Sequence, residues 1–232
     1  MEYKIMATIS ADIVKSTSLS KGGIIVLREE LETFLDDMRK RFNGVWGRVI
    51  RGDSLECVVP DLNKLLRIVL LLQCYVKAIK VKLKAQRIDV IDKKFAKFGV
   101  RIAVAIDELR TSDEGNGIID GAAIYASGRA LSNLRDWEKD VFTISSIYGG
   151  TIAIVRALFL LTHKMIIRAT SRQCQVLSYR LLGYEEEDIA KRLGITSIAV
   201  YQHLQIVGWE AINAALKCYE TLDLAKDLRI GG

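Results

Sequence analysis

Histidine and proline are almost missing from this 232-residue sequence: His163, His203 and Pro60 are all it has. Cys57, Cys74, Cys174 and Cys218 lie far apart, with no C-x-x-C pair and no histidine close by, which argues against a zinc site. Isolated thiols of this kind read as free cysteines in a reducing compartment. One proline and an apolar fraction of 50% exclude a linker-rich or disordered chain and predict an ordered, largely helical protein. Long apolar runs are lacking too. Leu65–Val76 and Ile152–Leu161 both fall short of the roughly 18–20 residues that span a bilayer, so no membrane segment is predicted. Met1-Glu2-Tyr3-Lys4-Ile5 has no signal-peptide pattern, and the expected location is the cytoplasm. The net charge of +6 is mild, permitting anionic partners without requiring them.

What is present alternates in period. Tyr3–Ile13 reads as a buried strand. Gly22-Gly23 reads as a turn, followed by a helix over Ile24–Phe42. Trp46–Arg51 and Ser54–Val59 form a predicted hairpin around Gly52-Asp53. Pro60 and Asp61 open a helix expected to reach Leu83 or beyond. A strand at Gly99–Ile106, a loop tip at Asp113–Gly117, a helix at Gly121–Leu134, a strand at Val141–Ile144 and a helix at Thr151–Ile167 follow. The order β-α-β-β-α-β-α-β is that of a ferredoxin-like palm with additions. Beyond about Thr170 only short helices are predicted: Ser171–Leu182, Glu185–Leu193, Ser197–Val207 and Ala211–Leu222. The fold class is α+β, with a palm domain over 1–150, a connecting helix over 151–169 and a small all-α helix-turn-helix domain over 170–232.

Two stretches of the palm carry candidate chemistry. In Ala11-Asp12-Ile13-Val14-Lys15-Ser16-Thr17 and in Arg51-Gly52-Asp53-Ser54-Leu55, one aspartate sits at the end of a strand or in the adjoining turn. Carboxylates on neighbouring strand ends can share a hard cation such as Mg²⁺, with phosphate oxygens on the metal. The same residues also read as a helix cap and a hairpin turn. Asp107 and Glu108, at the end of the Gly99–Ile106 strand, are further possible ligands or solvated loop residues. Lys77–Lys97 holds eight basic residues against Asp89 and Asp92, either an anion-attracting segment or a solvated helix end.

These stretches resemble class III nucleotidyl cyclase domains. The Asp12 stretch resembles their first metal-binding segment, the Asp53 hairpin their second, Val100–Ile106 the strand that follows, and Gly121–Leu131 the late helix that supplies a transition-state arginine. The resemblance implies that Asp12 and Asp53 bind Mg²⁺ or Mn²⁺. It further implies that Ile13 and Val14 lend backbone groups near a nucleotide triphosphate, and that Arg129 stabilises charge on the phosphates as catalytic residue. Two positions depart: Tyr125 stands where the family has asparagine, and Ala122 where it has a base-selecting polar residue. A palm with these departures is expected to sense a ligand more than to turn it over.

In the C-terminal part, Ile189, Ala190 and Leu193 face inward on one short helix, Gly194 supplies a left-handed turn, and Val200, Leu204 and Val207 continue the buried stripe on the next. That pattern leaves Ser197, Ile198, Tyr201, Gln202 and Gln205 outward, with Arg192 beside them. Glutamine can read adenine edges, and serine at a helix start can hold phosphate. Arg172–Leu222 resembles the helix-turn-helix of sigma-factor region 4 and of LuxR- and MarR-type regulators, and the pairing of domains resembles the SatD family. Residues 170–232 contain seven Lys/Arg and eight Asp/Glu, so tight binding to double-stranded DNA needs a dimer or the basic first domain. The expected function is a homodimeric DNA-binding transcriptional regulator with a degenerate nucleotide- and metal-binding sensor. The alternatives are an active nucleotidyl cyclase or transferase, localised by its tail, and a scaffold for protein contacts.

Overall fold

A computed structural model describes residues 4–14, 16–50, 52–79, 99–134, 142–146, 151–222 and 224. It is a mixed α+β structure, a largely antiparallel sheet followed by a helical C-terminal part. The expected extension of the second helix to Leu83, most of the basic segment after Lys77, and Lys15, Arg51 and Val141 lie outside the described residues.

The sheet is built from β1 (Lys4–Ile13), β2 (Trp46–Val49), β3 (Ser54–Val59), β4 (Val100–Leu109) and β7 (Phe142–Ser146), in the order β2-β3-β1-β4-β7. All neighbours are antiparallel except β4 and β7. Strand alternation gives β1 two unlike faces. Ala7, Ile9, Ala11 and Ile13 enter the main core under α1 (Lys21–Arg41) and α2 (Leu65–Ala78). Thr8 and Ser10 point the other way, where both hydrogen-bond Ser127 of α3 (Ala122–Asn133), at 3.1 and 2.8 Å. Small Ala103 and Ala105 are buried on β4, as Ala123 is on α3, which lets α3 lie close against this face.

Several boundaries differ from expectation for identifiable reasons. Ser20 caps α1 by accepting from the Gly23 amide at 3.0 Å, so Gly22 and Gly23 fall within the first helical turn and form no separate turn. Asp61 caps a short 3₁₀ turn at Leu62–Lys64, and the α-helix begins only at Leu65 and ends at Ala78. The β2–β3 strands close through the Ile50 amide on the Ser54 carbonyl, with Gly52 and Asp53 in the turn before β3. β4 continues through Asp107 and Glu108 to Leu109 and is followed by an unpredicted hairpin, β5 (Thr111–Asp113) and β6 (Ile118–Asp120). Gly121 joins that hairpin to α3 at φ 143°, where a Cβ would lie 2.8 Å from three backbone atoms of Glu108, Leu109 and Arg110. Only glycine fits there.

The remaining helices are α4 (Ile152–Arg168), α5 (Ser171–Leu181), α6 (Glu186–Leu193), α7 (Ser197–Val207) and α8 (Trp209–Glu220). Their apolar faces join the same core as the sheet: Val155, Phe159, Cys174, Leu177, Leu204 and Leu216 cluster with α2 and β1. Residue 170 therefore marks no gap in the packing. Polar ties reinforce this contact. Arg67 of α2 donates to Glu220 Oε1 at 2.8 and 3.0 Å and to the Leu181 carbonyl at 3.0 Å, and Tyr219 donates to the Leu62 carbonyl at 2.8 Å. Buried Lys77 donates to the Ile166 and Ile167 carbonyls at 2.7 and 2.9 Å, which places a cation on the negative end of α4.

Candidate functional site

The antiparallel register of β1 sets Asp12 opposite Ser54 on one side and opposite Arg101 on the other. Asp53 follows one residue before Ser54, so the turn brings both aspartates to one end of the sheet. They line a shared cleft of about 300 Å³ together with Ile13, Val14, Ser16, Thr17 and Arg101. Four of the residues named from the sequence thus meet in one place. Arg129 does not join them: it stands exposed on α3 and is not among the residues lining the cleft.

The polar groups of this cleft are already engaged. Arg101 grips Asp12 in a two-pronged ion pair, with Nε 2.7 Å from Oδ1 and Nη2 on Oδ2, and its third nitrogen donates to the Leu134 carbonyl at 2.8 Å. The arginine ties β1, β4 and the end of α3 together, and sequence reading missed it as Asp12's partner. The visible signal was a lone charged residue in the apolar run Val100–Ile106. Asp53 accepts a hydrogen bond from the Ser16 hydroxyl. The Ile13 amide donates to the Asp53 carbonyl and the Val14 amide to the Gly99 carbonyl, each at 2.9 Å.

A two-metal centre needs carboxylate oxygens free to face cations. In this arrangement both Asp12 oxygens face a guanidinium, and no group of three or more histidine, cysteine or acidic side chains suited to a metal occurs among the described residues. The donor set does not fit a two-metal centre while Arg101 holds Asp12. Asp107 and Glu108 cannot complete it. Asp107 pairs with Met6, six residues along β1 from Asp12, or about 20 Å at strand rise. Asp107 is buried there and accepts from the Glu108 amide at 2.7 Å, so it is not the solvated loop residue expected.

The second candidate lies on α6 and α7. Gly194 ends α6 in the left-handed conformation, φ 62°, and Thr196 caps α7 by accepting from the Ala199 amide at 3.1 Å. Ile189 and Ala190 of α6, and Val200, Leu204 and Val207 of α7, are buried. Ser197, Ile198, Tyr201, Gln202 and Gln205 are all exposed along one side of α7, Ile198 at 70% and Tyr201 at 51%. Ile206, also exposed, borders that side and was not anticipated. Arg192 is exposed at the end of α6, its guanidinium 4.3 Å from the centre of the Tyr184 ring.

No family model matches the sequence, and no curated protein matches it. Among solved structures the chain is similar to the guanylyl cyclase Cya2, with a TM-score of 0.39 and 11% identity over 56% of this chain and 71% of that one. A likeness at this level carries nothing of that protein's activity to this one. No helix among the described residues is long and apolar enough to cross a membrane.

Proposed function

We propose that this chain is a DNA-binding transcriptional regulator: α6 and α7 form a helix-turn-helix, and the sheet part is a cyclase-like sensor that has lost turnover. The observation carrying the reading is the outward row Ser197, Ile198, Tyr201, Gln202 and Gln205 on a capped helix whose opposite side is buried. Exposed glutamines on a helix that protrudes from its support can reach base edges in a major groove. Arg192 and the start of α7 are placed to meet phosphate.

In this reading the cleft of Asp12 and Asp53 takes a nucleotide triphosphate with Mg²⁺ or Mn²⁺ only once Arg101 has released Asp12, with the Ile13 and Val14 backbone carbonyls beside it. Arg101 already neutralises Asp12, and Arg129 lies outside the cleft of its own chain, so the arrangement favours sensing over the cyclase or transferase alternative. The nearly balanced charge of residues 170–232 calls for a homodimer, in which two copies of α7 address two half-sites.

The test is selection of duplexes from a random-sequence pool at low salt, followed by anisotropy titrations across salt concentrations. A recovered consensus with inverted half-sites, and affinity falling with salt, supports the reading. Failure to retain any duplex at low salt overturns it. Affinity that does not respond to a nucleotide triphosphate analogue with Mg²⁺ removes the sensor part alone.

A further inference from the structure

A second cleft, about 570 Å³, opens between α1, α2 and the α5–α6 corner, and shares no lining residue with the cleft of Asp12 and Asp53. Its volume lies within the range of small-molecule sites, and its walls have their composition: mostly rings and aliphatics, with a few charged groups. Phe34 and Tyr75 face each other with ring centres 5.2 Å apart, and Tyr179 and Tyr184 meet edge to face at 5.7 Å. Tyr75 is anchored by donating to Glu30 at 2.6 Å.

The charges are sorted along the cleft. At one end two guanidiniums converge on a single ring: Arg41 donates to the Tyr184 hydroxyl at 3.2 Å, and Arg192 stacks 4.3 Å from its centre. The hydrogen bond from Arg41, with the nearby Arg192 charge, pulls the Tyr184 hydroxyl below the usual phenol range. Neither guanidinium is paired with a carboxylate among the described residues. Two like charges brought together with no direct ion pair leave donors available to an anionic group. Asp37 lines the same cleft one helical turn before Arg41, about 6 Å back along α1, with Glu30 farther on beside Tyr75. A polyanion such as a nucleotide would meet these carboxylates and be repelled. A zwitterion would not.

We infer that this cleft binds a free aromatic α-amino acid. The carboxylate lies between Arg41 and Arg192, the ammonium faces Asp37, and the ring lies among Phe34, Tyr75 and Tyr179. Because Arg41 belongs to α1 and Arg192 to the last turn of α6, an occupant bridges the sheet part to the helix that leads into α7. A consequence for DNA affinity rests on the regulator reading; the binding itself does not.

The experiment is calorimetric titration of the full chain, without DNA, with L-tryptophan, L-tyrosine and L-phenylalanine. Two sets of comparison probes are tyramine and phenethylamine, which lack the carboxylate, and 3-phenylpropionate, which lacks the ammonium. At least one amino acid is expected to bind, with each comparison probe weaker by about tenfold or more, as expected for loss of one charged hydrogen-bonding partner. Arg192→Gln and Asp37→Asn are each expected to weaken amino acid binding by about the same factor. Absence of binding by all three amino acids overturns the inference. So does equal binding of 3-phenylpropionate, or undiminished binding to Arg192→Gln. Because no DNA is present, failure here leaves the regulator reading standing, and failure to bind DNA leaves this site standing.

Discussion

The cleft of Asp12 and Asp53 and the outward side of α7 hold comparable numbers of polar side chains, but in opposite states. At the cleft each carboxylate is engaged by its own chain, Asp12 by Arg101 and Asp53 by Ser16. On α7 the outward side chains have no hydrogen-bond partner among the described residues. Polar groups satisfied inside the chain hold strands and helices together, whereas groups facing only water are free to recognise something else. The comparison weighs the two halves of the functional reading differently: the tail is poised for a partner, and the cleft must first surrender an ion pair.

Breaking that ion pair is expected to give the largest effect. Arg101→Ala leaves Asp12 part-buried without a counter-charge and removes the donor from the Leu134 carbonyl. The loss should be about 2–3 kcal/mol in urea unfolding, between values for exposed and fully buried pairs. Asp12→Ala added to Arg101→Ala should recover part of the loss, since deleting both partners is milder than orphaning one. Mg²⁺ sharpens the comparison. If it raises the midpoint of Arg101→Ala and not that of the parent, the arginine is what excludes a cation from Asp12. An equal response in both proteins shows that it is not.

Between the two regions, α2 is joined to α4 by Gln73, which donates to His163 Nδ1 at 2.6 Å inside the core. Burial, aided by the charges of Lys164 and Lys77, lowers the His163 pKa from 6.5 to about 3. The imidazole stays neutral in the folded chain at a pH where the unfolded chain takes up a proton. Stability from this group is complete above pH 6.5 and declines as pH falls toward 3, by at most about 1.4 kcal/mol per unit. Thermal or urea unfolding of the parent and of His163→Gln from pH 7 downward checks this. The variant can still hydrogen-bond Gln73 but cannot titrate, so its profile should be flatter; parallel profiles would assign the acid sensitivity to other groups.

How legible each region was follows from where its decisive partner lies in the sequence. Helical periodicity is local, and it placed Val200, Leu204 and Val207 inward and Tyr201 and Gln202 outward on α7. The left-handed Gly194 turn was equally legible, because one residue type dominates that conformation. Asp12 and Asp53, with the whole of α1 between them, were brought together by the resemblance of their two stretches to paired metal-binding segments, and the β1–β3 register does set them at one end of the sheet. Arg101 lies 89 residues from Asp12, and only the cross-strand register pairs them. The β5–β6 hairpin escaped notice because its strands have three residues each, too few to show alternation. The shared core of α2 with α5 and α8 was hidden for a related reason: α2 is buried nearly all round, and its periodicity does not say which helix covers which side.

The smallest structural effect, and the sharpest functional one, is expected on α7. Gln202→Ala combined with Gln205→Ala removes exposed side chains that hydrogen-bond none of the described residues. Such surface substitutions usually change stability by less than about 0.5 kcal/mol, and alanine is the better helix former. Loss of two base-edge contacts should nevertheless weaken binding to a selected duplex by about tenfold or more while leaving weak, salt-sensitive binding to unrelated duplexes intact. That separation is what a reading surface predicts and a packing surface cannot produce. A variant that unfolds early would mean the two glutamines support the fold. One that keeps full affinity and sequence preference would move recognition away from this side of α7, and the contrast with the Asp12 cleft would then distinguish solvated from bonded groups without identifying a partner.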